Sequence, residues 1–338
     1  MFDKLMNNYY FGKSGKGDFT PDDLPTNRMQ LFWEMLRIRF SALIRLNLMY
    51  VVCWLPLILV LMFSSFTALQ TLQYMDDGTG KVVFFSKDAE GNEVADEQDA
   101  WSVQQVTDVL QTLVSTTLLI MIPCIAITGP ATAGVSYVTR NWSRDEHAFI
   151  WADFKDAVKE NWKQSLFISF LTSLVPFVVY MCWQFYGDLA RTQPLMALPQ
   201  MIILMLGIVW ALAVTYIHPM IVTYQLKLRD LFRNGLLLAV ARLPMSVGIR
   251  LLHCLPLVLG VVIGIFFNVP QYAILFLFLY YILIGFALSR FVTASYTNAV
   301  FDKYINSRIE GAVVNRGLRQ TDEDTEEDDD EDDEDDNE

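Results

Sequence analysis

The chain has 338 residues, 53% of them hydrophobic and only 19% charged, with a mean hydropathy of +0.32. The formal net charge of −13 sits at one end: from Asp322 to Glu338 only Thr325 and Asn337 are not acidic, and without those 15 carboxylates the remainder carries +2. This composition excludes an ordinary water-soluble domain and leaves a slightly basic body suited to anionic lipid headgroups.

Residues 1–26 form a polar N-terminal segment. The first 45 residues hold no short apolar stretch followed by a small-residue cleavage site, so insertion is expected through the first membrane helix. Phe32, Leu36, Phe40 and Leu43 then repeat at helical spacing and predict an amphipathic helix. Six apolar segments follow, at 46–66, 112–137, 166–186, 197–224, 249–267 and 271–296. Each reaches the roughly 20 residues needed to cross a hydrocarbon core.

The stretch 67–105 between the first two segments is acidic and rich in turn residues. Asp77-Gly78 and Thr79-Gly80 ahead of Val82, Val83, Phe84 and Phe85 predict a small hairpin, and Glu90-Gly91-Asn92 a second turn. After the second segment, Ser143-Arg144-Asp145-Glu146 reads as a capping box. Beyond it, Phe154, Val158 and Trp162 fall on one helical face, with Lys155, Lys159 and Lys163 beside them. Leu228, Leu231 and Phe232 make a similar stripe before the fifth segment, flanked by Arg229 and Arg233. These three amphipathic helices are expected at the membrane interface. The tail 305–338 ends in the acidic run 322–338, whose composition predicts disorder.

Lys and Arg assign the sides. Of the 25, all but Lys81, Lys87 and Arg191 lie in the N-terminal region, the loops after segments two and four with the start of segment five, or the C-terminal end. Those regions are cytoplasmic by the positive-inside rule, as are both termini. The reading is therefore an all-α polytopic membrane protein. Its six transmembrane helices and cytoplasmic amphipathic helices make one membrane domain at 27–304, with 67–105 as an extracytoplasmic loop. A threefold internal repeat is suggested by Pro56, Pro176 and Pro256, each in a span that a later Ser136-Tyr137, Thr223-Tyr224 or Ser295-Tyr296 pair completes.

Catalytic signatures are lacking: there is no phosphate loop, HExxH or GxSxG pattern, and only three histidines. No enzyme activity, metal or cofactor is expected. Cys53, Cys124, Cys182 and Cys254 each lie in an apolar run without a CxxC pair and read as small apolar side chains. Ala126, Gly129, Ala133 and Gly134 in segment two and Gly260 and Gly264 in segment five are small enough for close helix packing. Pro130 removes a backbone donor beside Gly129 and frees a carbonyl. With His218, Arg250 and His253, the ionisable groups nearest membrane depth, Gly129 and Pro130 are the candidate ligand-binding residues.

From Ile127 to Phe170 the chain resembles the YesL-like family of bacterial membrane proteins, a domain of unknown function. Gly129, Pro130, Ala131, Ala133 and Tyr137 carry the likeness, followed by Phe154, Asn161, Lys163, Gln164 and Ser165. The acidic outer loop and acidic tail depart from the family's compact pattern. The resemblance implies a bacterial plasma membrane and association with carbohydrate uptake, and supplies no catalytic residue. The expected role is an accessory or regulatory factor for solute uptake. Its expected partners are the bilayer and a transporter subunit or a basic cytoplasmic protein, with no nucleic acid. A self-contained carrier or channel is the alternative, and a lipid-modifying enzyme ranks third.

Overall fold

The computed structural model describes residues 24–76, 80–87, 93–267 and 270–319. The N-terminal residues 1–23, the acidic run 322–338 and the Asp77-Gly78 and Glu90-Gly91-Asn92 turn signals lie outside them. In order, the elements are α1 (Arg28–Gln73), β1 (Lys81–Lys87), β2 (Glu93–Asp99), α2 (Val103–Trp142), α3 (Ala152–Ala190), α4 (Ala197–Thr223), α5 (Leu228–Ala241), α6 (Leu243–Phe266), α7 (Pro270–Tyr280) and α8 (Phe286–Tyr304). A π-helical stretch, Tyr281–Gly285, joins α7 to α8 without a break.

Six helical segments are long and apolar enough to cross a membrane: α1, α2, α3, α4 with the short 3-10 turn before it, α6, and the α7–α8 rod. Large apolar side chains lie exposed along them, including Leu59, Phe63, Leu119, Met205, Leu206, Val258 and Phe276. In water such a surface would drive aggregation; in a bilayer it is the solvent-facing side. Only 6% of the most apolar window of α2 is covered by protein, so that stretch must be bathed by lipid acyl chains or by another helix. The free cysteines follow the same rule, Cys254 being exposed and the other three half-buried.

Two of the stretches expected to be amphipathic continue into the spans they precede. Arg28–Gln73 is one 46-residue helix and Ala152–Ala190 one 39-residue helix. No glycine or proline separates the stripes from the spans, so backbone hydrogen bonding continues through them. Only the third stretch stands alone, as α5, with Leu231, Gly235, Leu238 and Ala239 on its buried face. The three stretches thus differ in whether they run on into the span that follows.

The expected capping box at Ser143–Glu146 is not formed, because no helix begins there. Ser143 Oγ instead donates to the Arg140 carbonyl at 2.8 Å, and α3 starts at Ala152, where Asp153 accepts from the Phe149 N–H at 2.7 Å. A capping box appears where the chain enters α2. Ser102 N donates to Gln105 Oε1 at 2.9 Å, and Gln105 N donates to Ser102 Oγ at 3.3 Å.

The hairpin is present, with β1 and β2 antiparallel and Lys81 opposite Asp99. Tyr74 stacks on Trp101 at 4.8 Å, closing its base. Lys81 pairs with Glu97 at 2.9 Å; the pairing holds the carboxyl below and the ammonium above their usual ranges.

The chain divides into two compact units. The first joins the described parts of Met1–Phe40, Arg140–Ala148 and Ala294–Glu338. It is held by polar contacts. Asp302, 5% exposed, pairs with Arg28 and accepts from Asn315 N at 3.2 Å and from Asn306 Nδ2 at 2.6 Å. Asn298 Nδ2 donates to Ser143 Oγ at 2.7 Å, and Arg319 N donates to the Pro25 carbonyl at 2.9 Å. Gly317, at φ +83°, faces the Arg144 carbonyl, where a side chain would collide.

The second unit, Ser41–Thr139 with Phe149–Thr293, holds most of the membrane-crossing length. Its helices meet at small residues. A Cβ on Gly134 would fall 2.6 Å from the Phe154 ring, and one on Gly260 2.6 Å from Leu277 Cδ1. Without a hydrophobic driving force between helices in lipid, such close approach supplies the dispersion contact that holds them. Tyr50 and Thr132 share a hydrogen bond at 2.7 Å and Tyr216 and Ser246 another at 2.6 Å, all four groups being buried.

Candidate functional site

At the helix ends where Lys and Arg concentrate, the second unit contains a polar cleft of about 620 Å³. Tyr137 of α2 forms one wall and Glu160, Asn161, Lys163 and Gln164 of α3 another. The third is the end of α4 and the segment beyond it, Ile221–Lys227. That segment leaves the helix at Tyr224, whose φ of −128° and ψ of 141° are extended. Gln164 Nε2 donates to the Leu226 carbonyl at 3.0 Å, tying α3 to this edge. Asn161 Nδ2 donates one turn back to the Ala157 carbonyl at 3.0 Å, leaving its amide oxygen as an acceptor. Lys163 is exposed, with Nζ 5.6 Å from the Trp162 ring.

The cleft presents two ammonium groups (Lys163, Lys227), one carboxylate (Glu160), amides from Asn161, Gln164 and Gln225, and the phenols of Tyr137 and Tyr224. This mixture suits hydrogen bonding to a polar peptide edge or solute, and it lacks a paired nucleophile and base. Among the described residues no group of three or more His, Cys, Asp or Glu could hold a metal.

A second concavity, of about 350 Å³, lies between α3 and α4. It is lined by Leu171, Leu174, Val175, Val178, Val179, Cys182, Ile203, Leu206, Gly207 and Trp210. That apolar lining suits an acyl chain or another membrane helix and gives a sugar few hydrogen bonds.

The sequence-derived candidates fall into two groups. Gly129 packs directly against the Ser165 carbonyl, and a Cβ there would also fall 2.8 Å from Ser169 Oγ. Ser169 in turn lies 3.4 Å from His218 Nε2, and His218 is 3% exposed. Its Nδ1 makes no hydrogen bond of good geometry, although the Val214 carbonyl lies within electrostatic reach. Pro130 sits inside α2, which continues as one helix from Val103 to Trp142. Ala126 and Ala133 are buried on the same helix, and Gly264 is buried on α6.

The second group joins α6 to α8. His253 Nε2 lies 3.1 Å from the Ser289 carbonyl and 3.3 Å from Thr293 Oγ1. Arg250, one turn before His253, is half-buried, and its Nε is buried without a partner. Arg290 lies within electrostatic reach of Arg250, His253 and His218.

Asn47 was not among the candidates. It is 0% exposed inside α1, and its Nδ2 donates to the carbonyls of Tyr281 at 3.0 Å and Ile282 at 2.7 Å. Its Oδ1 accepts from the Ala287 N–H at 2.8 Å. A π-helical stretch displaces backbone groups from regular pairing, and this one amide satisfies three of them. A lone amide at the start of an apolar run was the available signal.

Fold and site together define a multi-pass α-helical membrane protein with a polar cleft at its basic helix ends. A family model described as "Protein of unknown function, DUF624" matches residues 109–183. That span contains α2 from its first turns onward and most of α3, including Tyr137, Glu160, Asn161, Lys163 and Gln164 of the cleft. Comparison with curated proteins and with solved structures finds no match.

Proposed function

We propose that this chain is an accessory or regulatory protein of a solute-uptake system, carbohydrate being the solute class, in a bacterial plasma membrane. Both termini and the polar cleft face the cytoplasm in this reading, which the one-sided distribution of Lys and Arg supports. One observation carries it: Tyr137, Asn161, Lys163 and Gln164 carry the resemblance to the YesL-like family and line a single cleft, although they come from two helices. A surface of mixed charge, amides and phenols suits docking of a polar loop from a transporter subunit or a basic cytoplasmic protein. The acidic run Asp322–Glu338 adds electrostatic attraction for a basic partner. A carrier would bring hydrogen-bonding groups to membrane depth, and the groove between α3 and α4 is apolar.

The test is native mass spectrometry of tagged full-length protein, extracted gently from its own host's membrane. A transporter subunit is expected at fixed stoichiometry, and Lys163→Glu with Lys227→Glu is expected to release it while the protein stays monodisperse. Isolation alone, combined with sugar flux into liposomes holding no other protein, would overturn the accessory reading in favour of a carrier.

A further inference from the structure

The polar cleft does not use the two arginines of the membrane-spanning region. Arg250 lies seven residues into α6, roughly 10 Å along the helix from Leu243. Arg290 follows Ser289 on α8, and His253, one turn after Arg250, contacts Ser289 and Thr293. Both guanidiniums are half-buried, and both act electrostatically on His218 and His253. Among the described residues neither forms an ion pair, and Arg250 Nε is buried with no partner. No Asp or Glu occurs in α6, α7 or the α8 segment up to Thr293. Two like charges on neighbouring helices in a low-dielectric setting repel, and each also loses its hydration. Among the described residues no carboxylate pairs with either arginine, which leaves the two open to an anion from outside.

The π-helical stretch sets the rotation of α8. It ends at Gly285, four residues before Ser289, and an extra residue in a helical turn rotates everything after it. Asn47 fixes that rotation from α1 by holding Tyr281, Ile282 and Ala287. The face of α8 that carries Ser289, Arg290 and Thr293 is thereby aimed in part by a buried amide on a different helix.

We propose that Arg250 and Arg290 together bind an anionic phosphate group, drawn either from a phospholipid headgroup or from a phosphate-bearing solute. Guanidinium forks match phosphate oxygens in paired hydrogen bonds. The depth of Arg250, within the first two turns of α6, is within reach of the phosphate layer of a leaflet. His253 acts as a positioning residue, bridging α6 to the backbone next to Arg290.

The experiment uses full-length protein in maltoside micelles, which carry no phosphate, and compares thermal unfolding without addition, with phosphatidylglycerol, and with inorganic phosphate. Stabilisation by phosphatidylglycerol that Arg250→Gln and Arg290→Gln remove supports the site and assigns a lipid. The expected loss is about ten-fold or more in apparent affinity. Stabilisation by inorganic phosphate with the same variant pattern assigns a soluble ligand. Arg250→Lys and Arg290→Lys retain part of either effect, and Arg229→Gln with Arg233→Gln, on exposed α5 positions, leaves it intact. In micelles without either addition the two Gln variants are at least as stable as wild type, which a merely structural arginine would not allow. Native mass spectrometry of wild type for retained phospholipid gives a readout independent of the variants' folding. The proposal is overturned if neither anion stabilises wild type, or if the α5 variant loses the effect as fully as Arg250→Gln.

Discussion

Replacing Asn47 tests whether one buried amide holds the π-helical stretch in place. Asn47→Leu keeps the side chain's volume and removes all three hydrogen bonds, leaving the Tyr281 and Ile282 carbonyls and the Ala287 N–H short of a partner. Hydrogen bonds between membrane helices average about 0.6 kcal/mol each, with a maximum near 1.7. Three of them at a fully buried site give an expected loss of about 2–4 kcal/mol. Asn47→Ala adds a cavity and is expected to cost about 1 kcal/mol more. Asn47→Asp retains the acceptor for Ala287 and loses both donors while burying a charge, so it should be the worst of the three. The assay is reversible unfolding by sodium dodecyl sulfate in mixed micelles, followed by far-ultraviolet circular dichroism. An Asn47→Leu midpoint equivalent to less than about 0.5 kcal/mol from wild type would refute the reasoning, because the π-helical stretch would then be holding itself. If the stretch relaxes, Arg290 turns away from Arg250, and anion stabilisation should fall along with stability.

Gly129→Ala drives a methyl group into the Ser165 carbonyl and is expected to cost about 1–3 kcal/mol in the same titration, with Gly129→Leu preventing assembly. Gly248→Ala is the control: a Cβ there meets nothing within 4 Å, and the better helix former should leave stability unchanged or raise it by up to about 1 kcal/mol. Asp302→Asn removes the partner of Arg28 in the first unit; limited proteolysis should then cut the segment Ile309–Arg319 faster, reflecting a loss of about 2–4 kcal/mol. The hairpin pair behaves differently. Glu97 has its carboxyl held low, so the attraction to Lys81 is present above the ordinary carboxylate range and is lost as pH falls through the depressed value. Both groups are exposed, and Glu97→Gln should leave the unfolding midpoint unchanged at any pH.

Hydropathy alone located six spans because lipid imposes a requirement on each helix separately, independent of its neighbours. The hairpin was legible for a similar reason: turn chemistry is local. The small residues of α2 and α6 marked close approach, and Gly129, Gly134 and Gly260 do sit where a methyl group would collide. Local signals misled where two elements competed for the same residues. Ser143–Glu146 has the letters of a capping box, but Ser143 is engaged by Arg140 and Asn298, and the true box lies at Ser102–Gln105. The stripes read in α1 and α3 missed the buried side, since Phe40 and Trp162 are exposed while Met35 and Ala157 are buried, and they could not show that the helices continue into the spans.

What the sequence determined was membrane embedding, the number of spans and the segregation of positive charge, all of which follow from the solvent each residue prefers. Tertiary structure decided the sites. Tyr137, Gln164 and Leu226 line one cleft across 89 positions of chain, and Asn47 meets Tyr281 across 234. Arg250 and Arg290 become a cluster only when α6 lies beside a helix aimed by a π-helical stretch. A hydrogen bond is set by partners a few ångströms apart in space, and in a helical bundle those partners come from different turns of different helices, so no spacing along the chain records them.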